Sequence, residues 1–394
     1  MLRTYKYRIY PDDSQKVLLE KHFGAVRFIF NIGLEVKQMA YAGNKINLSC
    51  FDLSNQLTEL KNDCTWLREV NSQSLQMALR NLDNAYQLFF KGKSSFPKFK
   101  KKSHRQSFQC PQRVKINGDN LYLPKFKQPI KIVLHRPFDG QIKTVTISRT
   151  PTNKYFASIL TDNHKDIPKP ISKSEKMIGI DLGIKSFIVT SDGQKYDNPK
   201  YLRNSIVHLK WMQRQLSRKK KGSNRREICR MRVAKLHEKI SNQRYDFLHK
   251  VSDVITKQYD IICMENLQVA NMLKNHCLAM SIADCGWSAF EQFLKYKAEW
   301  RGKRIVQIGT FEPSSKTCCE CGYINKDLTL ADREWTCPAC SAVLDRDICA
   351  AKNILSFGIR NSGMGRAFED AEPPTLAGVM KRQKFNVSNN DLHC

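Results

Sequence analysis

The chain contains 394 residues, which is enough for two or three domains with their own cores and excludes a disulfide-stabilised miniprotein. Hydrophobic residues make up 41% of the sequence and aromatic residues 10%, so most of the chain is expected to fold. The formal net charge of +29 indicates a polyanionic partner, either nucleic acid or an acidic membrane surface. There is no run of 18 apolar residues and no apolar signal-peptide core at the start, so we expect a cytoplasmic protein that binds nucleic acid.

The first part of the chain combines strand patterns with helix patterns. Residues 2–10 alternate between two faces and predict a strand. Apolar residues at helical spacing, from Leu19 onward, predict helices over 11–92. A basic connector, 93–105, leads to short predicted strands within 107–164. A small β domain interrupted by a helical insertion would explain this order.

The rest of the chain predicts a mixed α/β domain. A linker rich in proline and lysine, 164–175, precedes a buried strand at 177–184 that contains one acid. A long helical stretch covers about 200–258, and a second buried strand, beginning at Tyr259, also ends in an acid. Further helices and a strand follow, and the segment 359–394 is expected to be a disordered tail because its periodicity is lost.

Four of the 14 cysteines have the spacing of a zinc ribbon. Two Cys-x2-Cys knuckles can direct four thiolates at one ion in a closed, structural zinc site. The alternatives are two disulfide bonds or coincidence, and Cys319 is an extra thiol beside the first ligand. The scattered remaining cysteines are typical of a reducing cytoplasm. The predicted ligands are Cys318, Cys321, Cys337 and Cys340.

Three carboxylates interrupt or border apolar segments: Asp181, Glu265 and Asp347. A charge beside a buried strand is costly unless it is paired or binds metal. If the three acids converge, they form an oxygen site for Mg²⁺ or Mn²⁺, and two such ions could support phosphodiester hydrolysis. Each acid alone has a plainer interpretation as a structural, ion-paired or helix-capping group, and Asp345 competes with Asp347 for the last position.

Taken together, these motifs resemble the TnpB family, the RNA-guided nucleases of insertion sequences and relatives of the type V CRISPR effectors. The similarity covers nearly the whole chain, and the order acid, acid, ribbon, acid is specific. It is carried by Ile-Gly-Ile-Asp181-Leu-Gly-Ile, Cys-Met-Glu265-Asn-Leu, the four-cysteine ribbon, Asp345-Arg-Asp347-x-x-Ala-Ala-x-Asn-Ile, the segment around Gln76, and Asn242-Gln-Arg-x-Asp-Phe-Leu-His249.

The resemblance implies an α/β multidomain fold. Its parts would be a RuvC-type, RNase H-like nuclease domain with an inserted four-cysteine zinc ribbon, preceded by a small β-barrel with a helical insertion. The implied boundaries are 1–10 and 93–165 for a wedge-like barrel, 11–92 for a helical recognition insertion, 170–310 and 342–358 for the nuclease domain, and 311–341 for a ribbon that loads the target strand.

The resemblance also implies site residues and partners. Asp181, Glu265 and Asp347 match the family's catalytic metal-binding triad, and the ribbon matches its zinc module. The expected partners are a guide RNA from the transposon end and double-stranded target DNA, with one protein per RNA and no membrane. Gln76 and Gln109 fall where the family reads a transposon-adjacent DNA motif, and side-chain amides suit adenine readout. Cys349 departs from the family, which usually has asparagine there.

Two basic runs are predicted to follow a nucleic-acid backbone, with affinity that falls steeply with salt. A plainer interpretation of either run is a solvated charged face. The first run contains Lys98, Lys100, Lys101, Lys102 and Arg105, and the second contains Arg218, Lys219, Lys220, Lys221, Arg225 and Arg226.

Other functions remain open at this point. A nuclease-inactive, RNA-guided repressor would be expected to have lost an acid, and all three are present. An actin-like ATPase shares the pattern around Asp181 but requires neither the ribbon nor the charge. A strand-transfer transposase could use the same acids. A Walker-type NTPase is disfavoured because Gln87 stands where its loop needs the first glycine.

Overall fold

The computed structural model describes residues 1–103, 105–171, 174–310, 312–329 and 332–362. The chain divides into two compact units. The first contains the described residues of 1–167 and 205–242, and the second contains those of 168–204 and 243–362. None of the helices in the described ranges is both long and apolar enough to span a bilayer.

The first unit contains a seven-stranded antiparallel sheet in the order β2-β6-β7-β1-β5-β4-β3. Strand β1 is central, and its alternation places Tyr7 and Ile9 in the core. The strands are β1 (Leu2–Tyr10), β2 (Gln106–Cys110), β3 (Lys115–Asn117), β4 (Asn120–Tyr122), β5 (Ile130–Val133), β6 (Gln141–Arg149) and β7 (Tyr155–Asp162).

The helices in the N-terminal part of the first unit bury one apolar stripe each. A capping box joins Asp12 and Gln15 at the start of the first helix, and the chain turns out of that helix at Lys45, which has a left-handed backbone. Leu19 and Phe23 belong to the same core as the sheet. The helices are α1 (Asp13–Asn44), α2 (Cys50–Asp63) and α3 (Ser72–Phe90), with a 3₁₀ turn at Thr65–Glu69.

The long helical stretch predicted at 200–258 is two helices. These are α4 (Tyr201–Ser217) and α5 (Asn224–Gln258). The break coincides with the basic run that begins at Arg218, and Gly222 there has a φ of 85°, which favours glycine. All three lysines of that run therefore lie in a loop rather than on a helix face.

The second unit is built on a five-stranded mixed sheet in the order β10-β9-β8-β11-β12. Strands β8, β11 and β12 are parallel, and β9 and β10 are antiparallel to their neighbours. The elements are β8 (Met177–Leu182), β9 (Ser186–Thr190), β10 (Lys195–Asp197), β11 (Ile261–Met264), α6 (Val269–Met272), α7 (Ala279–Cys285), α8 (Trp287–Trp300), β12 (Arg304–Gln307), β13 (Glu334–Thr336), β14 (Val343–Asp345) and α9 (Arg346–Asn361).

Helices cover both faces of this sheet. On one face, Ile180 and Ile262 share a core with Leu248 of α5 and Phe290 of α8. On the other face, Cys263 packs with Ile354 of α9. Helix α9 continues to Asn361, three residues into the segment that the sequence assigned to a tail, and 363–394 lie outside the described residues.

Two glycines allow α9 to approach the sheet closely. A methyl group at Gly179 on β8 would lie 2.8 Å from the backbone nitrogen of Leu355 and closer still to the carbonyl oxygen of Ala351. A methyl group at Gly358 would lie 2.8 Å from Cβ of Cys263 on β11 and closer still to its sulfur. The helix therefore rests on the sheet at positions where no side chain can be inserted without movement.

Candidate active site and zinc centre

The three predicted acids lie at one edge of the mixed sheet. Asp181 is on β8, and Glu265 directly follows the parallel strand β11. Successive side chains of a strand alternate between faces, so Asp181 lies on the same face as Gly179, and Glu265 on the same face as Cys263. Gly179 and Cys263 are paired neighbours beneath α9, whose first turn contains Asp347. The strand register and the helix contact therefore direct all three acids to one place.

The pKa of Asp181 is affected by the two neighbouring acids. The pKa is raised to about 8, chiefly by burial and further by the negative charges of Glu265 and then Asp347, while Arg346 opposes the shift. The carboxylates are nevertheless less tightly grouped than the thiols. Within the described part of the chain, only the four ribbon cysteines bring three or more possible ligand atoms within 4.8 Å of one another. The oxygens of these three carboxylates are hard donors that fit a divalent cation such as Mg²⁺.

The roles of Asp345 and Asp347 are separated by the structure. Asp345 is the N-cap of α9: its carboxylate accepts hydrogen bonds from the backbone N–H groups of Asp347 and Ile348, both at 3.0 Å. It also pairs with Lys195 at 2.6 Å. Asp347 is therefore not the capping acid. Its carboxylate forms ion pairs with Arg333 at 3.4 Å and with Arg346 at 3.3 Å.

Three partners of these acids were not identified from the sequence. The hydroxyl of Ser314 donates a hydrogen bond to Oε1 of Glu265 at 2.6 Å. The guanidinium groups of Arg333 and Arg346 flank Asp347. Arg346 lies between the two acids of the Asp-Arg-Asp motif, so its proximity to Asp347 could have been predicted from the sequence. Nothing in the local sequence marks Ser314 or Arg333 as neighbours of the acids.

The four predicted zinc ligands converge. Sγ of Cys318 lies 3.7 Å from that of Cys340, and Sγ of Cys321 lies 3.6 Å from that of Cys337. These separations are far longer than a disulfide bond of about 2.05 Å. They match the edge of about 3.8 Å expected for four thiolates in a tetrahedron with Zn–S distances of about 2.3 Å. The cluster therefore fits zinc, and the disulfide alternative is wrong for these four residues.

Both knuckles have the same backbone pattern. In each, the residue four positions after the first cysteine donates its N–H to the carbonyl of that cysteine: Gly322 to Cys318 at 3.0 Å, and Ser341 to Cys337 at 2.8 Å. Both donors have left-handed backbones, with φ of 78° at Gly322 and 59° at Ser341. Burial opposes ionisation of Cys337, but backbone hydrogen bonds, first that of Cys340, lower its pKa to about 7.

Cys349, the departure from the family pattern, faces the base of the ribbon. Its sulfur donates to the carbonyl of Thr317 at 3.2 Å and accepts from the backbone N–H of Cys319 at 3.2 Å. One turn later, the amide of Asn353 donates to the carbonyls of Ser314 at 2.8 Å and Thr317 at 2.6 Å. Amide hydrogen bonds to this segment are therefore made by Asn353.

The predicted DNA-motif residues lie on adjoining elements of the first unit. Gln76 is exposed on α3, and Gln109 is on β2, which packs against α3. The amide of Asn81 donates to Gln109 Oε1 at 3.1 Å. A further amide pair was not identified from the sequence: Gln73 on the same helix donates to Gln112 at 2.9 Å. The result is a surface rich in side-chain amides.

Most of the predicted backbone-binding residues of the first run are exposed. Lys98, Lys101, Lys102 and Arg105 have high solvent accessibility. Lys100 is different: its ammonium lies 3.7 Å from the centroid of the Phe30 ring, and burial lowers its pKa. Its backbone is fixed to α1 by two hydrogen bonds with Asn31, at 2.8 and 3.0 Å. Lys100 therefore anchors the connector.

The second run combines a loop with a helix start. Lys219 is partly buried, whereas Arg218, Lys220 and Lys221 are exposed in the loop before α5. Arg225 is exposed in the first turn of α5, and Arg226 is partly buried there with its Nε atom unpaired.

Comparison with known families identifies three matching segments. The OrfB_IS605 family model, described as "Probable transposase", matches residues 158–276. A model described as "Cas12f1-like, TNB domain" matches 287–354, which includes the ribbon and the first turns of α9. A model described as "Helix-turn-helix domain" matches 1–45, where the structure has β1 and α1.

Curated relatives match over almost their full length. A protein of Streptomyces pristinaespiralis named "Putative RNA-guided DNA endonuclease" is 38% identical over 92% of this chain and 91% of its own. The protein of Escherichia coli strain K12 named "Putative RNA-guided DNA endonuclease InsQ" is 31% identical over 94% of this chain and 96% of its own.

A solved structure shares the fold. The protein in the structure described as "Cryo-EM structure of the Cas12f1-sgRNA-target DNA complex" superposes with a TM-score of 0.54, covering 90% of this chain and 98% of that one at 14% identity. The match of residues 287–354 to the Cas12f1-like TNB domain model agrees with this fold. The chain belongs to the TnpB family, the RNA-guided nucleases of insertion sequences that are related to the type V CRISPR effectors.

Proposed function

We propose that this protein is an RNA-guided, Mg²⁺-dependent DNA endonuclease encoded by a transposable element, and that it cleaves double-stranded DNA beside a transposon-adjacent motif. The observation that carries the proposal is the gathering of Asp181, Glu265 and Asp347 at one sheet edge, close enough for two of them to raise the pKa of the third. Membership of the TnpB family supports the same activity.

The acids would hold two divalent ions, which when bound supply activation of the attacking water and stabilisation of the departing oxygen. In the ion-free protein the pKa of Asp181 is about 8, so its carboxyl carries a proton near neutral pH and has to release it in order to coordinate. Arg333 and Arg346, beside Asp347, place positive charge where a DNA phosphate would approach the acids.

The excess of positive charge fits a large nucleic-acid partner. A guide RNA from the transposon end would pair with the target strand, while the protein reads the heteroduplex shape and a short DNA motif. The exposed lysines and arginines of the two basic runs would bind the backbone, and Gln76 and Gln109 would read the motif. One protein per RNA, in the cytoplasm, is the assembly that we propose.

Each structural unit then has a function. We assign the RuvC-type, RNase H-like role to the mixed sheet of the second unit, with the four-cysteine ribbon as a zinc module that loads the target strand. We assign the wedge role to the seven-stranded sheet of the first unit, and the recognition role to the helices α1, α2 and α3.

The test uses the complex of the full chain with the RNA that co-purifies with it. This complex is offered a plasmid that carries the matching target beside a randomised motif, in the presence of Mg²⁺. We expect linear product, and we expect Asp181→Ala and Glu265→Ala to abolish cutting. Glu299→Ala is the matched control, because Glu299 is an exposed acid on α8 of the same unit.

Two results would decide against parts of the proposal. Cutting that persists in Asp181→Ala or Glu265→Ala would show that the acids are not the active site. A complex that binds the matching target but does not cut it with either Mg²⁺ or Mn²⁺ would favour a nuclease-inactive, RNA-guided repressor.

A further inference from the structure

A buried hydroxyl holds one of the three acids. Ser314 is 4% exposed, and its Oγ donates to Oε1 of Glu265 at 2.6 Å. This length is typical of an O–H group that donates to a charged carboxylate. Ser314 lies in the segment that leads from β12 into the ribbon, so the contact joins parts of the chain that are 49 residues apart.

The turn that contains Ser314 is itself fastened to α9. Asn353 is 5% exposed, and its amide donates to the carbonyl oxygens of Ser314 and Thr317. The hydroxyl of Thr317 closes the turn by donating to the carbonyl of Pro313 at 2.7 Å. Because buried polar groups are costly to leave unpaired, these contacts favour one arrangement of the turn.

The same helix carries Asp347 in its first turn. A continuous set of contacts therefore runs from Asp347 along α9 to Asn353, through the turn to Ser314, and on to Glu265. The remaining acid, Asp181, is fixed separately by its strand. Within the described residues, Ser314 is the hydrogen-bond donor to the carboxylate of Glu265, which lies beyond the end of β11. Without this set of contacts, the carboxylate would lose that partner.

We propose that Ser314 and Asn353 are positioning residues that fix Glu265 relative to Asp347 and thereby set the affinity of the acid site for divalent ions. This inference rests on the proposed function, since it assigns ion binding to the three acids. Partners of this kind orient metal ligands, and their loss typically costs ~10–100-fold in metal affinity or activity.

The test measures Mn²⁺ binding directly, by the electron paramagnetic resonance of free Mn²⁺, in the full protein–RNA complex. The Asp181→Ala complex serves as the baseline, because it retains the Mn²⁺ bound by RNA but lacks the acid site. Ser314→Ala and Asn353→Ala are expected to weaken the binding above this baseline by ~10-fold or more. Ser315→Ala is the matched control, since Ser315 is the exposed neighbour, and it should bind as the unaltered protein does.

A second readout separates positioning from folding. In Ser314→Ala, the Mg²⁺ concentration for half-maximal cleavage should rise by a similar factor, whereas the rate at saturating Mg²⁺ should recover most of its value. Ser314→Thr keeps the hydroxyl and should stay within ~3-fold of the unaltered protein. Should the alanine variant not fold, Ser314→Cys preserves the size with a weak donor and should show the same shift.

Ion binding in Ser314→Ala or Ser314→Cys that equals that of Ser315→Ala would overturn the inference and leave the cleavage proposal intact. Mn²⁺ binding by Ser314→Thr that is as weak as that of Ser314→Ala would also contradict the proposed role of the hydroxyl group. An unaltered complex that binds no more Mn²⁺ than Asp181→Ala would instead contradict the proposed function.

Discussion

Replacing Gly179 with alanine tests how closely α9 must approach the sheet. The new methyl group would lie 2.8 Å from the backbone nitrogen of Leu355 and nearer still to the carbonyl oxygen of Ala351, both of which are backbone atoms that cannot rotate away. Ordinary contacts begin at 3.4 Å, so the helix would have to retreat by at least ~0.6 Å.

This movement should affect both stability and cleavage. Overpacking of this kind typically costs ~1–3 kcal/mol, which for a protein of this size lowers Tm by roughly 1–4 °C. Asp347 lies one helical turn before Ala351, so it should be displaced by a similar distance. Misplacement of a reacting group by about 1 Å can cost ~100-fold in rate.

The assay compares thermal unfolding and single-turnover plasmid cleavage by the guide-RNA complex. Gly24→Ala is the matched control, because that glycine lies within α1 and, among the described residues, no atom beyond the adjacent part of its own helix would lie within 4 Å of the added methyl. It should gain up to ~1 kcal/mol from helix propensity and cut normally. A Gly179→Ala protein that melts and cuts as the unaltered one does would refute the close approach of α9 and the position of Asp347 that depends on it.

Three other substitutions test separate features. Gly358→Ala should destabilise by ~1–3 kcal/mol, and adding Cys263→Ala, which removes the sulfur but keeps Cβ, should restore part of this loss in a double-mutant cycle of denaturant unfolding; strict additivity would contradict the packing. Ser341→Gly should stabilise the zinc-loaded ribbon by ~0.5–1 kcal/mol, because glycine adopts a φ of 59° without strain; an unchanged or lower Tm would contradict this. Asp181 has a pKa raised to about 8, chiefly by burial, so its stabilising contribution without added Mg²⁺ is complete below about pH 4 and is lost as the pH rises toward 8. Asp181→Asn should therefore gain on the order of 4 kcal/mol over the unaltered protein between pH 5 and pH 8, and parallel stability–pH profiles of the two proteins would contradict the raised pKa.

Short-range patterns in the sequence were sufficient to predict the elements whose structure depends on residues close in the chain. Alternation predicted β1, and the spacing from Leu19 predicted α1, because a single buried face imposes these periods. The clustering of the four cysteines could be predicted because each knuckle is a local turn with a fixed spacing.

Contacts between residues that are distant in the sequence could not be predicted in the same way. The sequence offered Asp345 and Asp347 as competitors, and only the placement of β14 before α9 shows that the first is the N-cap. The partnership of Ser314 with Glu265 joins segments that meet only after the sheet has formed. The break between α4 and α5 lies within a run of charges that carries no apolar period, so the pattern could not show where one helix ends.

The zinc ribbon has a practical consequence for anyone who wishes to shorten this protein. Its chain enters just after Ser314, which contacts Glu265, and leaves at Asp345, which begins the helix that contains Asp347. A deletion that removes either attachment point would disturb the acids, even though the ribbon supplies none of them. A compact variant should therefore be cut after Thr317 and rejoined before Asp345, with a linker chosen to preserve both ends.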